Sequence, residues 1–133
     1  MNSLRGTITD VEVDRELSLV TVVLNDEVYL YAIVIDSPQT NSYLTKNNEI
    51  QVHFKETEVI IGKEDQSELS IENIIKGKIE TIEEDPLLSK ISISTSVGSI
   101  IAIISTKSRR KLDLKKNDLV WAMVKTNEIM LSE

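Results

Sequence analysis

The sequence predicts an all-β protein: two tandem five-stranded barrels, each carrying one short helix. Three observations lead there. Short runs rich in Val, Ile, Leu and Thr alternate apolar with polar residues and are separated by Asn, Asp, Gly and Pro clusters, the signature of half-buried strands. The second half of the 133-residue chain repeats the first. Each copy is then about 65 residues long, and five strands with one helix in that length fit an OB-like barrel. A two-sheet sandwich would produce a similar string.

The first copy reads as follows. Residues 4–12 alternate, with an irregularity expected near Thr9-Asp10. Asp14-Arg15-Glu16 makes a turn, and residues 17–24, rich in Val, Leu and Thr, form a strand. Asn25-Asp26-Glu27 joins it to a strand over residues 28–35 in a hairpin. Asp36-Ser37-Pro38 looks like a helix start, with a capping side chain before a first-turn proline, and the helix should end near Leu44. After a turn at residues 46–49, Ile50, Val52 and Phe54 face one way and Gln51, His53 and Lys55 the other. Glu56-Thr57 turns into a last short strand over residues 58–61. The polar run Gly62–Glu68 reads as a linker, short enough to keep the copies in contact.

Sliding the chain over itself exposes the repeat. At an offset of 71, Gly6, Ile8, Leu17 and Ser18 meet Gly77, Ile79, Leu88 and Ser89. One residue is lost near the middle hairpin, and at an offset of 70 Ala32-Ile33 meets Ala102-Ile103, Lys46-Asn47 meets Lys116-Asn117, and Lys55 meets Lys125. A repeat on this scale outweighs any single motif. The expected domains are residues 1–63 and 68–133. A domain near 60 residues buries only about 60% of its unfolded surface, so the copies should share a face.

Net charge is −7, and all the excess acid lies in the first half: residues 1–66 hold 5 Lys/Arg against 12 Asp/Glu, residues 67–133 hold 10 of each. That balance argues against a general polyanion binder. With no cysteine there is no disulfide or thiolate site. No apolar run approaches the roughly 18 residues of a membrane span, and the N-terminus lacks a signal peptide's basic start and apolar core. The expectation is a soluble, cytoplasmic protein with no membrane partner. His53 is the only histidine, so no Cys/His or Ser/His/Asp group is available, and there is no GxGxxG or Walker loop. A non-enzymatic role is expected.

Residues 70–79, Ser-Ile-Glu-Asn-Ile-Ile-Lys-Gly-Lys-Ile, resemble the Ser-Ala-Arg-Asn-x-x-Lys-Gly-x-[Val/Ile] signature of the Mop, or TOBE, molybdate-binding domains. Residues 112–122 are similar to that family's Leu-Gly-Leu-Lys-x-Gly-[Asp/Glu]-x-Val-x-Ala, and residues 125–131 to its closing Lys-Ala-[Ser/Thr]-x-Val-x-Leu. The resemblance covers residues 67–133; the first copy shares it mainly through the repeat. It implies a di-Mop protein of the ModG type, a homotrimeric cytoplasmic store for molybdate or tungstate. A sensory module like that of ModE-type regulators is the alternative, and an OB-type nucleic-acid binder a third reading.

The resemblance also implies an oxyanion site at Ser70, Ser105, Ser108, Lys125 and Asn127, with Lys55 as the survivor in the first copy, where Ile35 and Pro38 take the places of Ser105 and Ser108. The signature Arg falls on Glu72. Two like charges about 4 Å apart cost roughly 4 kcal/mol at an effective dielectric near 20, so a carboxylate there opposes an anion; Arg109 or Arg110 is the candidate replacement cation. Ser105 and Ser108 also suit plain helix capping, against the anion-binding reading of a helix start. The basic cluster of Lys107, Arg109, Arg110, Lys111, Lys115 and Lys116 reads as a solvated face or as a phosphate patch. Nucleic acid would want stacking aromatics, and this half has only Trp121. Trp121 and Met123 fall on the outward face by alternation, as would suit a subunit interface.

Overall fold

The computed structural model describes residues 1–64 and 68–133. Two five-stranded antiparallel sheets hold the chain. β1 (Asn2–Asp14), β2 (Leu17–Leu24), β3 (Val28–Val34) and β4 (Glu49–Phe54) come from the first copy, followed by β5 (Ile60–Gly62). β6 (Asn73–Glu84), β7 (Leu88–Thr95), β8 (Gly98–Ser105), helix α1 (Thr106–Lys111), β9 (Leu119–Val124) and β10 (Met130–Ser132) follow. Single 3-10 turns at Glu56–Glu58 and Thr126–Glu128 precede β5 and β10.

The sheets do not respect the repeat at its last strand. Their orders are β10-β4-β1-β2-β3 and β5-β9-β6-β7-β8. Each copy gives its final strand to the other's sheet: Leu131 stands opposite Val52, and Ile61 opposite Ala122. These register pairs are equivalent under the 70-residue offset, so the exchange is reciprocal. It fuses the two units, and one continuous core runs through both, including Leu30, Phe54, Ile75, Ile100, Val124 and Ile129.

The alternation on β2 buries Ser18, Val20, Val22 and Leu24, and β7 repeats it with Ser89, Ile91 and Ile93. The irregularity expected at Thr9-Asp10 is a bulge between Ile8 and Asp10, and β6 has its twin between Ile79 and Thr81. A bulge leaves backbone groups without ladder partners. Here they bond to the turn before the next strand: Ile8 N–H to Asn48 O at 2.9 Å and Asn47 N–H to Ile8 O at 2.7 Å, with Ile79, Asp118 and Asn117 repeating the pattern. Asn47 and Asn117 sit at φ 77° and 76° to make that turn, a region asparagine tolerates better than most residues. Gly6 and Gly77 admit close passage of β2 and β7. A Cβ on Gly6 would lie 2.7 Å from the Val23 carbonyl oxygen, and one on Gly77 2.8 Å from that of Ser94.

One expected element is corrected. Among the described residues α1 is the only α-helix; in the first copy residues 36–44 form turns. Asn41 N–H and Thr40 N–H both bond to Ser37 O, giving one helical turn that stops. Thr40 and Thr45 bind nearby backbone carbonyls with their hydroxyls, a competition that weakens helices. Thr106–Lys111 instead has four Lys/Arg residues of good helix propensity or neutral hydroxyl neighbours.

A pair of asparagines locks the copies together. Asn73 accepts from Tyr31 N–H at 2.7 Å and donates to Tyr31 O at 2.9 Å. Asn2 does the same to Ile101, both bonds being 2.8 Å. Tyr31 lies on β3 and Ile101 on β8, the outer strands of their sheets. Each side-chain amide therefore pairs with the free edge of the opposite copy, as another strand would.

Candidate functional site

The register of β6 with β9 decides where the expected site residues gather. Asn73 stands opposite Val124, so Ser70 and Glu72 enter, and Lys125 and Asn127 leave, at the same end of that sheet. The 3-10 turn carrying Asn127 packs against β3 of the first copy. Ser70, Glu72, Lys125 and Asn127 are all solvent-exposed. Lys55 occupies the equivalent end of the first sheet, where Asn2 stands opposite Phe54, and its following turn packs on β8.

Ser105 and Ser108 lie elsewhere. Ser105 ends β8, four residues past Ile101, or about 13 Å at strand rise. It caps α1: its Oγ accepts from Ser108 N–H at 3.0 Å and donates to Ser108 Oγ at 2.9 Å. The capping reading is thus realised, while both hydroxyls stay exposed. The fold therefore brings Ser70, Lys125 and Asn127 to one end, beside the first copy's β3. It puts the serine pair on β8, the strand that the Lys55 end packs against. Each cluster faces the degenerate half of the other copy. The enclosed space between the copies is about 10 Å³ and lined by Leu30, Phe54, Ile75, Ile100 and Val124 with Asn73. That is water-sized at most.

The candidate replacement cations are engaged. Arg109 Nη1 and Arg110 Nη2 each reach a Glu84 carboxylate oxygen at 3.1 Å. The Arg110 hydrogen bond holds the Glu84 carboxyl below its ordinary value, with the charges of Arg110 and Arg109 adding to it. Arg109 Nε is buried without a hydrogen-bond partner among the described residues. Asp118 is also lowered, chiefly by the Lys115 N–H that it accepts at 2.9 Å, and Lys63 lies 3.5 Å away. Among the described residues no His/Cys/Asp/Glu group is placed to hold a metal ion, and no helix is long and apolar enough to cross a membrane.

Two further expectations change. Met123 is only 2% exposed. The exchanged strand β5 pairs its Ile60 with Met123, so this position lies inside the sheet and not on a subunit face. Trp121 is half-buried under the Lys76 ammonium, 5.6 Å from its ring centroid. His53 is outward by alternation, yet it joins three strands: Ser3 Oγ is 2.7 Å from Nδ1 and Ser132 Oγ 2.7 Å from Nε2. Sequence reasoning matched Asn2 to the signature asparagine, Asn73, but missed what the pair does: bind the edge strand of the opposite copy.

Residues 69–131 match the TOBE domain. A stretch of 83 residues, 61% of the chain, is 24% identical to the molybdenum import ATP-binding protein ModC of Methylococcus capsulatus. The second copy is a TOBE domain. The chain spans 23% of that ModC protein's length. The tandem Mop architecture extends through the whole chain: it superposes on the molybdate-bound crystal form of the cytoplasmic molybdate-binding protein ModG with a TM-score of 0.90, 21% identity, and coverage of 98% of this chain and 94% of that one. MopII from Clostridium pasteurianum aligns with 49% of this chain and 98% of its own at 24% identity and a TM-score of 0.47.

Proposed function

We propose that this protein binds molybdate or tungstate as an intact oxyanion and stores it in the cytoplasm, without catalysis, as a homotrimer. The observation that carries the reading is the TOBE match over residues 69–131, which contains the exposed Ser70, Lys125 and Asn127 end. The fold shared with ModG, a molybdate-binding protein, supports it. The functional units are residues 1–63, with a degenerate site, and 68–133. Ser70, Asn127 and the Lys125 ammonium supply donors at one end; Ser105 and Ser108 supply hydroxyls at another, and Lys55 contributes from the first copy. A tetrahedral dianion accepts from several N–H and O–H groups at once, and charge-assisted bonds of this kind are about twice as strong as neutral ones.

Native mass spectrometry with molybdate, tungstate or sulfate tests the proposal. Discrete molybdate and tungstate adducts on an oligomer, with none for sulfate, are expected. A protein that stays ligand-free at high micromolar oxyanion would overturn storage. One observation favours a second reading, a sensory module acting through a protein partner: Glu72, a carboxylate where the family signature has Arg, lies at the same sheet end as Lys125. Loss of adducts in wild type and their gain in Glu72→Arg would select that reading.

A further inference from the structure

We infer that Glu84 is a built-in competitor for the bound oxyanion, and that Arg109, which Glu84 holds, is the cation that the Ser105 and Ser108 hydroxyls lack. The inference rests on the reading that this protein binds an oxyanion, and it adds how one of the sites is regulated. Ser105 and Ser108 offer exposed hydroxyls but no charge. Arg109 follows Ser108 and stands four residues after Ser105, the spacing that sets two side chains on one side of a helix. Long side chains on a helix also lean back towards its start. Glu84 is held beside the same turn, because Thr106 Oγ1 bonds to the neighbouring Asp85 O at 2.6 Å.

The Glu84 clamp satisfies charge only in part. Arg109 Nη1 and Arg110 Nη2 each take one oxygen of its carboxylate, so a single negative charge serves two guanidiniums. Among the described residues Glu84 alone forms an ion pair with either arginine: Glu83 is turned to Lys90, 3.9 Å away, and the first turn of α1 holds no acid. Hydrogen bonding is also incomplete. A guanidinium carries its donors in a fixed fork that suits an oxyanion through two parallel bonds. Glu84 engages one nitrogen of Arg109 and leaves Nε buried without an acceptor. A buried donor without a partner is costly, so an anion that takes both positions recovers what the clamp leaves unmet.

The repeat keeps these parts together. Arg109 and Arg110 correspond to Gln39 and Thr40, and Glu84 to Val13. The first copy, where Ile35 and Pro38 replace the two serines, therefore has neither the cations nor the competitor. In the second copy the carboxylate and a doubly charged oxyanion want the same fork. Glu84 keeps it while the oxyanion is scarce and yields it when the oxyanion is abundant, since the dianion brings more charge and also accepts from the serine hydroxyls. Such coupling is reciprocal: whatever loosens the hold of Glu84 tightens that of the anion.

The test measures molybdate binding to the full chain by isothermal titration calorimetry, at neutral pH and constant ionic strength. Glu84→Gln should bind about fivefold more tightly than wild type, the scale of an exposed ion pair, while its urea midpoint falls or stays the same. An ion pair that only fastens α1 would move the midpoint and leave binding alone. Arg109→Gln should bind about tenfold more weakly, the scale of a charged hydrogen bond, because it removes the cation and frees Glu84 to repel the anion. A wild type that binds nothing beside a Glu84→Gln that binds would also support the inference. If wild type binds and Glu84→Gln binds no more tightly at any site, oxyanion binding stands and Glu84 is no competitor. If Arg109→Gln binds like wild type, Arg109 is not the cation. If neither wild type nor Glu84→Gln binds, oxyanion binding itself fails, and this inference with it. Should a variant lose its fold, the wild type decides by nuclear magnetic resonance. The Arg109 Nε–H signal should shift with molybdate and not with chloride at equal ionic strength; a signal that stays in place would overturn the inference.

Discussion

Removing the Asn73 amide should destabilise the protein far more than its place at a strand end suggests. Asn73 is 1% exposed, and its side chain makes two bonds to one residue of the other copy, at 2.7 and 2.9 Å. A net hydrogen bond is worth about 0.5–1.5 kcal/mol, and a buried group left without its partner costs about 1–3 kcal/mol. Asn73→Ala removes both bonds and leaves Tyr31 N–H and C=O unpaired, so the expected loss is about 2–3 kcal/mol. Against a total of roughly 5–15 kcal/mol that is a large share, and urea denaturation would resolve it. Asn73→Asp should be worse than Ala at neutral pH. It keeps an acceptor for Tyr31 N–H but turns a second carboxylate oxygen towards Tyr31 C=O. The same reasoning applies to Asn2 on Ile101. Amide exchange localises the effect: Tyr31 N–H should lose protection in Asn73→Ala while Ile101 N–H keeps it, and Asn2→Ala should do the reverse. A midpoint shift equivalent to under 0.5 kcal/mol, with Tyr31 still protected, would refute the reasoning.

Gly6→Ala and Gly77→Ala should each lower stability by about 1–3 kcal/mol, measured by denaturant titration, because the new Cβ meets a backbone carbonyl under 3 Å away. Glu84 has a folded-state pKa below the ordinary 4.5, so its contribution is complete above the unfolded value and fades as pH falls through the folded one. Stability measured from pH 6 to pH 3 should drop below about 4.5, and Glu84→Gln should make that drop shallower. Ser105→Ala should cost about 0.5–2 kcal/mol as a lost cap, whereas Ser105→Asp restores the cap yet repels an anion. An oxyanion titration in which Ser105→Asp binds like wild type would remove Ser105 from the site.

The strands were legible because their chemistry is local. Alternation on β2 and β7 places Val20, Val22, Ile91 and Ile93 inside, and the bulges fall where the pattern breaks at Thr9-Asp10. The helix of the first copy failed because Ser37-Pro38 looks like a helix start, while the residues that stop it, Thr40 and Thr45, act through hydroxyls on nearby carbonyls. Met123 failed for another reason. Alternation assigns a face to each residue, but the strand paired with this position comes from the other copy, its Ile60 lying 63 residues earlier in the chain. The site was legible only as residue types. That Ser105 and Ser108 cap α1 follows from local sequence, whereas their separation from Lys125 depends on the β9-β6-β7-β8 order of the second copy, a long-range pairing that local sequence does not fix.

That exchange gives the first copy a role independent of any anion it holds. It supplies β5 to the second sheet, Asn2 to the edge of β8, and the Glu56–Glu58 turn that packs on β8. A fragment of residues 68–133 would lose all three and expose Met123 and the free edge of β9. It would still own β10, whose counterpart β5 pairs with β9 through equivalent register positions. The fragment can satisfy that edge by lending β10 to a second fragment and receiving one back, a domain-swapped arrangement. Light scattering should therefore find the fragment as a dimer, unfolding at a midpoint that rises with concentration. Leu131→Asp, which places a charge on the lent strand, should prevent dimerisation and folding together. A fragment that is monomeric and as stable as the whole chain would show that the exchanged strand is dispensable, and that the second copy holds its fold without the first.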